Sequence, residues 1–327
     1  MNYKLKKKIK RILYNFEITK NLYVLAGMIK KKRFDRMEDI EFAKCIYKDR
    51  TGIDLNLENP RTFDEKLWWL KYHNKSPLLT KCTDKYLVRD YVKKCGLSSI
   101  LPKIYGVWDS VDDINLEHLP NRFFLKTNNG SGCNVLCNDK MTFDLEHAKK
   151  ILRKGLESNY FYVLREYNYK DIHPKVLCEE VLTPSNGETL IDYKLYCFKG
   201  RIKLVLRAEG TALADGRHAG EFDSYYENYF DENFKPLKLS DGYKQLPFDQ
   251  IKKPFQFELM KSYAQILSKP FPFVRVDLYN FDARIVFGEL TFYCAGGIHH
   301  FTPIEYNTKL GNLIDLSDIN KLGSSLN

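Results

Sequence analysis

Arg275, Asp277, Glu289 and Thr291 are the residues whose types and spacing point most directly to chemistry. They lie in 273–293, FVRVDLYNFDARIVFGELTFY, which reads as two strands joined by a tight connection around Asn280, Phe281, Asp282 and Ala283. Val274, Val276 and Leu278 alternate with Arg275, Asp277 and Tyr279, so the two-residue period puts Arg275 and Asp277 on one face. Glu289 and Thr291 are likewise two apart. Pairing the strands would gather two carboxylates, a hydroxyl and a guanidinium. Hard oxygen donors of that kind suit magnesium, which keeps part of its coordination for water and substrate phosphates. The same residues also fit a half-exposed hairpin with a surface salt bridge. The segments upstream favour the metal.

Phe123–Thr127 is a short apolar strand that delivers Lys126 into Asn128-Asn-Gly-Ser-Gly-Cys-Asn134, with another strand at Val135-Leu136. Such a loop can fold over phosphates and offer backbone N–H donors beside a lysine charge, or it can be an ordinary hairpin turn. It is neither a Walker motif nor a G-x-G-x-x-G fingerprint, because no helix follows at once. Residues 176–182 form an apolar strand carrying Glu179 and Glu180. A hairpin follows, 192–198 and 201–208 about a Lys199-Gly200 turn, with Asp192 and Lys194 on one face. The glycine-rich stretch 210–220 reads as a loop that could serve as a lid, and 294–300 (CAGGIHH) as an active-side loop or a turn.

Helices surround these strands. One is expected over 38–47, ending near Gly52; a second opens with the capping box Thr62-Phe-Asp-Glu65 and buries its tryptophans. A third, capped by Thr83, contains Leu87, Val88, Tyr91 and Val92 and stops at Gly96. Two more are expected over 144–156 and 254–267, with Pro254 in the first turn of the latter.

Composition narrows the class. The net charge of +10 sits in residues 1–36, where twelve Lys or Arg meet Glu17 and Asp35. The other 40 basic and 40 acidic residues cancel, so no basic body is available for nucleic acid. Within the arm, Leu5, Ile9, Ile12, Leu13 and Phe16 keep helical spacing among lysines, a pattern that fits an anionic membrane surface or packing on the body. No apolar run approaches the ~18–20 residues of a membrane-spanning helix, and no signal peptide is read at the start. Eight cysteines without a C-x-x-C pair suit reduced thiols in a cytoplasm, with peripheral attachment through the arm.

Taken together the chain resembles the TupA-like ATP-grasp family of polysaccharide-biosynthesis proteins. The similarity runs from Asn59 through NPRTFDEKL, DKYLVR at 84–89, FLKTNNGSGCN at 124–134, DYK at 192–194, FPFVRVDLY at 271–279 and GELTFY at 288–293. R-x-D followed by E-x-N holds metal and phosphate in many ATP-grasp ligases; Thr291 stands where those ligases usually have Asn. The resemblance implies an α+β ATP-grasp fold, two α+β subdomains clasping ATP after a mostly helical N-terminal region. The expected divisions are 1–36, 37–105, 106–175 with the glycine loop and 176–327 with the metal site. It also implies that Lys85 and Lys126 contact the phosphates, with Asn128, Gly130, Ser131 and Gly132 over them. Glu179 and Glu180 would lie by the adenine and ribose, Asp192 and Lys194 near the terminal phosphates. Asp277, Glu289 and Thr291 would hold magnesium (Mg2+), with Arg275 and Lys194 catalytic. The implied reaction joins a carboxylate to an amine through an acyl phosphate, on a uronic-acid glycan of a capsule or cell wall. A kinase or glycosyltransferase of the same pathway is the alternative, and a non-catalytic nucleotide-binding protein the third.

Overall fold

The computed structural model describes residues 37–187, 189–210, 225–317 and 319. The basic arm 1–36 and residues 211–220 of the expected lid lie outside the described residues. The chain divides into two units, 1–60 and 61–327. In the first, α1 (Asp39–Thr51) has acids in its first turn and Lys48 and Arg50 in its last, matching the helix dipole.

The second unit begins with α2 (Phe63–His73), α3 (Pro77–Thr83) and α4 (Val88–Lys94). The capping box forms as expected: Glu65 N donates to Thr62 Oγ1 at 3.3 Å, and Thr62 N donates to Glu65 Oε2 at 2.9 Å. Thr83, expected as a cap, instead ends α3 and donates its hydroxyl to Leu79 O at 2.8 Å. The start signal lies earlier, at Ser76-Pro77. Between α3 and α4, Asp84 Oδ1 accepts from Tyr86 N and Leu87 N. A side chain that bonds its own backbone in this way competes with helix, and here it interrupts one at Lys85.

Two antiparallel sheets follow. The first comprises β1 (Ile104–Trp108), β2 (Phe123–Thr127), β3 (Asn134–Cys137) and, after α5 (Leu145–Glu157) and α6 (Phe161–Leu164), β4 (Val176–Glu179), in the order β1-β4-β2-β3. α5, capped by Asp144, lays Ala148 and Leu152 into a core with Phe123, Leu125, Val135 and Cys178. The second sheet holds β5 (Ile191–Phe198), β6 (Arg201–Glu209), β7 (Tyr226–Phe230) and, after α7 (Phe257–Ser268), β8 (Val274–Phe281) and β9 (Arg284–Thr291), in the order β7-β6-β5-β8-β9. β1 and β7 are absent from the sequence expectations. Gly106 in one and Glu227 and Asn228 in the other depress strand propensity, which pairing overrides.

The larger core centres on Phe63, which meets Phe273 edge-on at 4.9 Å between ring centroids and packs beside Tyr196, Phe198 and Phe301. Trp68 is fully buried, its Nε1 donating to Gly297 O at 2.9 Å. α8 (Glu305–Gly311) reaches the start of α2 only because residue 311 is glycine: a Cβ there would lie 2.3 Å from Arg61 O. These contacts fix α2 and the 294–301 segment against the second sheet.

Candidate functional site

β8 pairs with β9 so that Arg275 faces Thr291 and Asp277 faces Glu289, and with β5 so that Lys194 faces Asp277. The period of two therefore delivers Asp192, Lys194, Arg275 and Asp277 to one face from the two inner strands. Immediately beyond Glu289 the register shifts, leaving Gly288 as the extra residue of a bulge whose Cβ would come within 3.0 Å of Asp277 O. Bulges of this kind re-aim neighbouring side chains and are frequent beside active sites.

Charge on this face is tightly organised. Arg275 holds Asp277 with two bonds of 2.7 Å and also donates to Thr291 Oγ1 at 3.0 Å and Glu289 Oε1 at 3.3 Å. Thr291 Oγ1 donates to Glu289 Oε1 at 2.8 Å. Lys194 bridges Asp192 and Asp277, the latter at 2.9 Å. Burial pushes the Glu289 carboxyl up, but Arg275, Lys85 and Lys194 outweigh it and hold it at about 2. Asp192 goes the other way, burial raising it to about 6 against the pull of Lys194. Burial works against the charge on Lys194 too, yet Asp192 and Asp277 keep it above its ordinary value.

This face forms one wall of a cavity of about 580 Å3, within the usual range for small-molecule sites. Lys85, Lys126, Gly130 and Ser131 line the same cavity. Lys126 pairs with Glu179 at 2.5 Å, and Lys85 Nζ donates to Gly130 O. The glycine loop proves to be a hairpin turn, with Lys126 opposite Asn134, and a cavity wall at once. Gly132 takes φ +90°, a conformation that strains any side chain.

Other expected contacts stand back from the cavity. Asn128 is fully buried, its Nδ2 donating to Asp84 Oδ2 and His173 O at 2.9 Å and its Oδ1 accepting from Lys175 N at 2.6 Å. It clamps the glycine loop to the segment bearing Lys85. Glu180 accepts from Lys103 N at 2.9 Å and Arg284 Nη2 at 3.1 Å, away from the lining. Gly132 and Glu179 are also outside the lining, Glu179 meeting it only through Lys126.

Whether the site suits magnesium can be judged from its donors. Asp277, Glu289 and Thr291 give two carboxylates and a hydroxyl, and Glu289 stays 44% exposed to the cavity. Nearby, Asp192 Oδ1 is buried with no hydrogen-bond partner. Carboxyl groups of Glu166, Asp192, Glu227, Asp241, Asp277 and Glu289 line the cavity with Lys85, Lys126, Lys194, Arg275 and His299. Hard oxygen donors fit a divalent cation, although no group of three His, Cys, Asp or Glu forms a metal cluster among the described residues.

Glu166, Glu227, Asp241 and His299 are site residues the sequence reading did not single out, apart from noting His299 in a loop. For Glu227 a signal existed: Tyr225, Glu227 and Tyr229 alternate, and both hydroxyls donate to its carboxylate, at 2.7 and 3.1 Å. Glu166 had none, because a turn after Arg165 at φ 54° brings it to the cavity. Below it Lys71, stacked 3.5 Å over Trp68, ties Leu164 O and Gly296 O together at 3.2 and 2.7 Å.

Burial raises Glu166 from its ordinary 4.5 to about 7, Lys71 opposing and Glu289 assisting. A folded-state value above the unfolded one means stability that is present below pH 4.5 and lost as pH rises through 7. Glu166→Gln escapes this loss. It should match wild type at low pH and exceed it by on the order of 3 kcal/mol above pH 8. Urea melts at pH 4.5 and 8.5 check the trend; equal stability of the two proteins at both pH values would contradict it.

No helix among the described residues is long and apolar enough to cross a membrane. A model of the family described as TupA-like ATPgrasp matches residues 65–315. Curated protein sequences yield no match. Among solved structures, an L-amino acid ligase from Bacillus licheniformis is 14% identical with a TM-score of 0.43, over 72% of this chain and 49% of that one. A D-alanine–D-alanine ligase from Bacillus anthracis complexed with ATP is 15% identical at TM-score 0.41, over 76% and 71%. The corresponding ligase from Helicobacter pylori is 16% identical at TM-score 0.37, over 71% and 60%. This chain thus spans about half the length of the first, 49%.

Proposed function

Because the chain belongs to the TupA-like ATP-grasp family, we propose that it is an ATP-dependent carboxylate–amine ligase. The carboxylate belongs to a uronic acid of a capsule or cell-wall polysaccharide, and the amine to an amino acid or other amine. One observation carries the reading. The β5–β8–β9 register sets Lys194, Arg275 and the Asp277–Glu289 pair in the same cavity as Lys85 and Lys126.

Lys85 and Lys126 bind ATP phosphates as point charges, with Gly130 and Ser131 beside them. Asp277, Glu289 and Thr291 hold magnesium, which when bound neutralises charge developing on the transferring phosphoryl group. A carboxylate oxygen attacks the terminal phosphorus and ADP leaves, giving an acyl phosphate. The amine nitrogen then attacks the acyl carbon, phosphate leaves with the acyl oxygen, and the amine proton is lost. Lys194 stays beside Asp192 and Asp277 to meet the transferred phosphoryl group. Arg275 faces the tetrahedral oxyanion, an interaction typically worth about 3–4 kcal/mol. The basic arm 1–36 holds the enzyme on the cytoplasmic face of an anionic membrane, the support being its charge and apolar spacing.

Incubation with ATP, magnesium and uronate–amine pairs should release ADP and phosphate in equal amounts, and hydroxylamine should trap the acyl phosphate. A stable phosphate ester with no free phosphate would show a kinase instead. Lys126→Ala strips the buried Glu179 of its ion-pair partner, so it should lower the Tm of the free protein while the fold persists, and Lys126→Gln is the milder companion variant. Lys126→Ala should abolish the rise in Tm that ATP with magnesium confers. An unchanged rise would remove Lys126 from the site.

A further inference from the structure

Helix α7 is apolar on two faces, and the described residues cover only one of them. Phe257, Met260, Ala264 and Leu267 are buried in the core of the second sheet. Phe255, just before the first turn, and Leu259 and Ile266 along the helix stay 95%, 41% and 44% exposed. Steps of four and seven residues put them on one stripe. Ser262 lies within it and turns its hydroxyl back onto Glu258 O at 3.0 Å, which hides its polar atom. Helices apolar all round belong in an interior, and an exposed apolar stripe of this kind marks a contact surface. The cavity is elsewhere. Tyr193, Leu195 and Cys197 alternate with its Asp192, Lys194 and Tyr196, and Cys197 meets Ser268 of α7, so the helix covers the back of the sheet.

Basic residues flank the stripe. Lys252 and Lys253 are exposed at its start and Lys269 at its end, with Lys261 beside it. Gly200 abuts Lys269, a Cβ there lying 3.6 Å from Lys269 Cα, which brings Lys199 and Arg201 of the β5–β6 turn to the same end. The acids nearby are Asp249, Glu258 and Asp315. Glu258 is held by Lys253 at 2.8 Å and Lys261 at 3.0 Å, and Asp315 lies 3.9 Å from Lys199. This positive surplus decides what can cover the stripe. A second copy related by two-fold symmetry would set these lysines against their own counterparts, a like-charge contact. The arm 1–36 carries a charge of +10 and is repelled for the same reason. An anionic bilayer offers both an apolar layer for the stripe and negative headgroups for its flanks.

We propose that the outer face of α7, with Phe255 at its tip, docks on an anionic lipid surface, a contact of the folded body separate from the basic arm. Phe255, Leu259 and Ile266 enter the headgroup boundary, and the lysine ammonium groups meet lipid phosphates and carboxylates. Docking through the back of the sheet does not occlude the cavity. The contact is independent of the ligase reading.

The test uses the full chain and phosphatidylcholine vesicles with and without phosphatidylserine. Phe255→Trp places a reporter at the tip, with wild type giving the background of Trp68, Trp69 and Trp108. On serine-containing vesicles its added emission should shift to the blue and be quenched by brominated acyl chains. In co-sedimentation, Phe255→Ser should weaken binding about tenfold, the loss expected for one buried aromatic ring. Lys252→Gln and Lys269→Gln should each weaken it about fivefold. All three side chains are exposed, so the variants should melt with wild type. Protein that sediments with vesicles while the reporter is neither shifted nor quenched would be held by the arm alone, and the proposal would be overturned. Wild-type binding by Phe255→Ser, or no vesicle binding at all, would overturn it equally. A dimer in sedimentation equilibrium without vesicles, dissociated by Phe255→Ser, would assign the face to a second copy instead.

Discussion

Asp277→Asn and Glu289→Gln should each yield a folded protein that has lost turnover by on the order of a thousandfold. Both replacements keep volume and one carbonyl oxygen, so the β8–β9 pairing has no steric reason to change. What they remove is negative charge from the set that would hold magnesium. Loss of several kcal/mol of transition-state stabilisation, at about 1.4 kcal/mol per tenfold, gives that factor. Glu289 is the cleaner probe, being 44% exposed while Asp277 is 2% exposed. Thr291→Val should be milder, since water can replace a hydroxyl. Thr291→Asn should retain activity, because its amide oxygen keeps a neutral oxygen donor at that position on β9. Steady-state rates beside circular dichroism decide the matter. Wild-type turnover in either acid variant would remove the pair from the reaction.

The second large effect falls on stability. Arg275→Met should cost about 3 kcal/mol, the lower end for breaking a buried ion pair by deleting one partner. The reason is Asp277, which loses both 2.7 Å bonds and keeps only Lys194, at 2.9 Å. Adding Asp277→Asn should return part of the loss, so the double variant is less destabilised than the two single changes predict together. Urea denaturation of the four proteins measures the coupling. Additive losses would mean that the pair contributes nothing beyond its separate side chains.

The opening constellation was legible because strand period alone fixes which face a residue takes: Arg275, Asp277, Glu289 and Thr291 follow from alternation once the turn is found. Lys126 and the glycine loop were legible for the same reason. Lys85 required the family resemblance, because its place depends on Asp84 turning its own backbone and on Asn128, two strands further along the chain. Asn128 illustrates the limit. Its type suits a phosphate contact or a buried clamp, and only the packing around it decides between them. Glu166 and His299 were less legible still. One reaches the cavity through a left-handed Arg165, the other is fixed by Asp64 from 235 positions away. Long-range partners of that sort leave no periodic trace.

The order β7-β6-β5-β8-β9 separates two kinds of position. Asp192, Lys194, Arg275 and Asp277 ride on inner strands laced to neighbours on both sides, so any backbone shift there disturbs two pairings at once. Glu227 rides on β7, an outermost strand whose outer side meets only isolated bridges from the 236–244 segment, with Glu227 N donating to Lys244 O at 2.9 Å. The other outermost strand, β9, packs against α3 and the 98–100 turn. Divergence among paralogues should therefore be uneven. Positions on the inner strands are expected to drift slowly and those on β7 to be retooled first, so that a lineage can reshape one wall of the cavity while keeping the other.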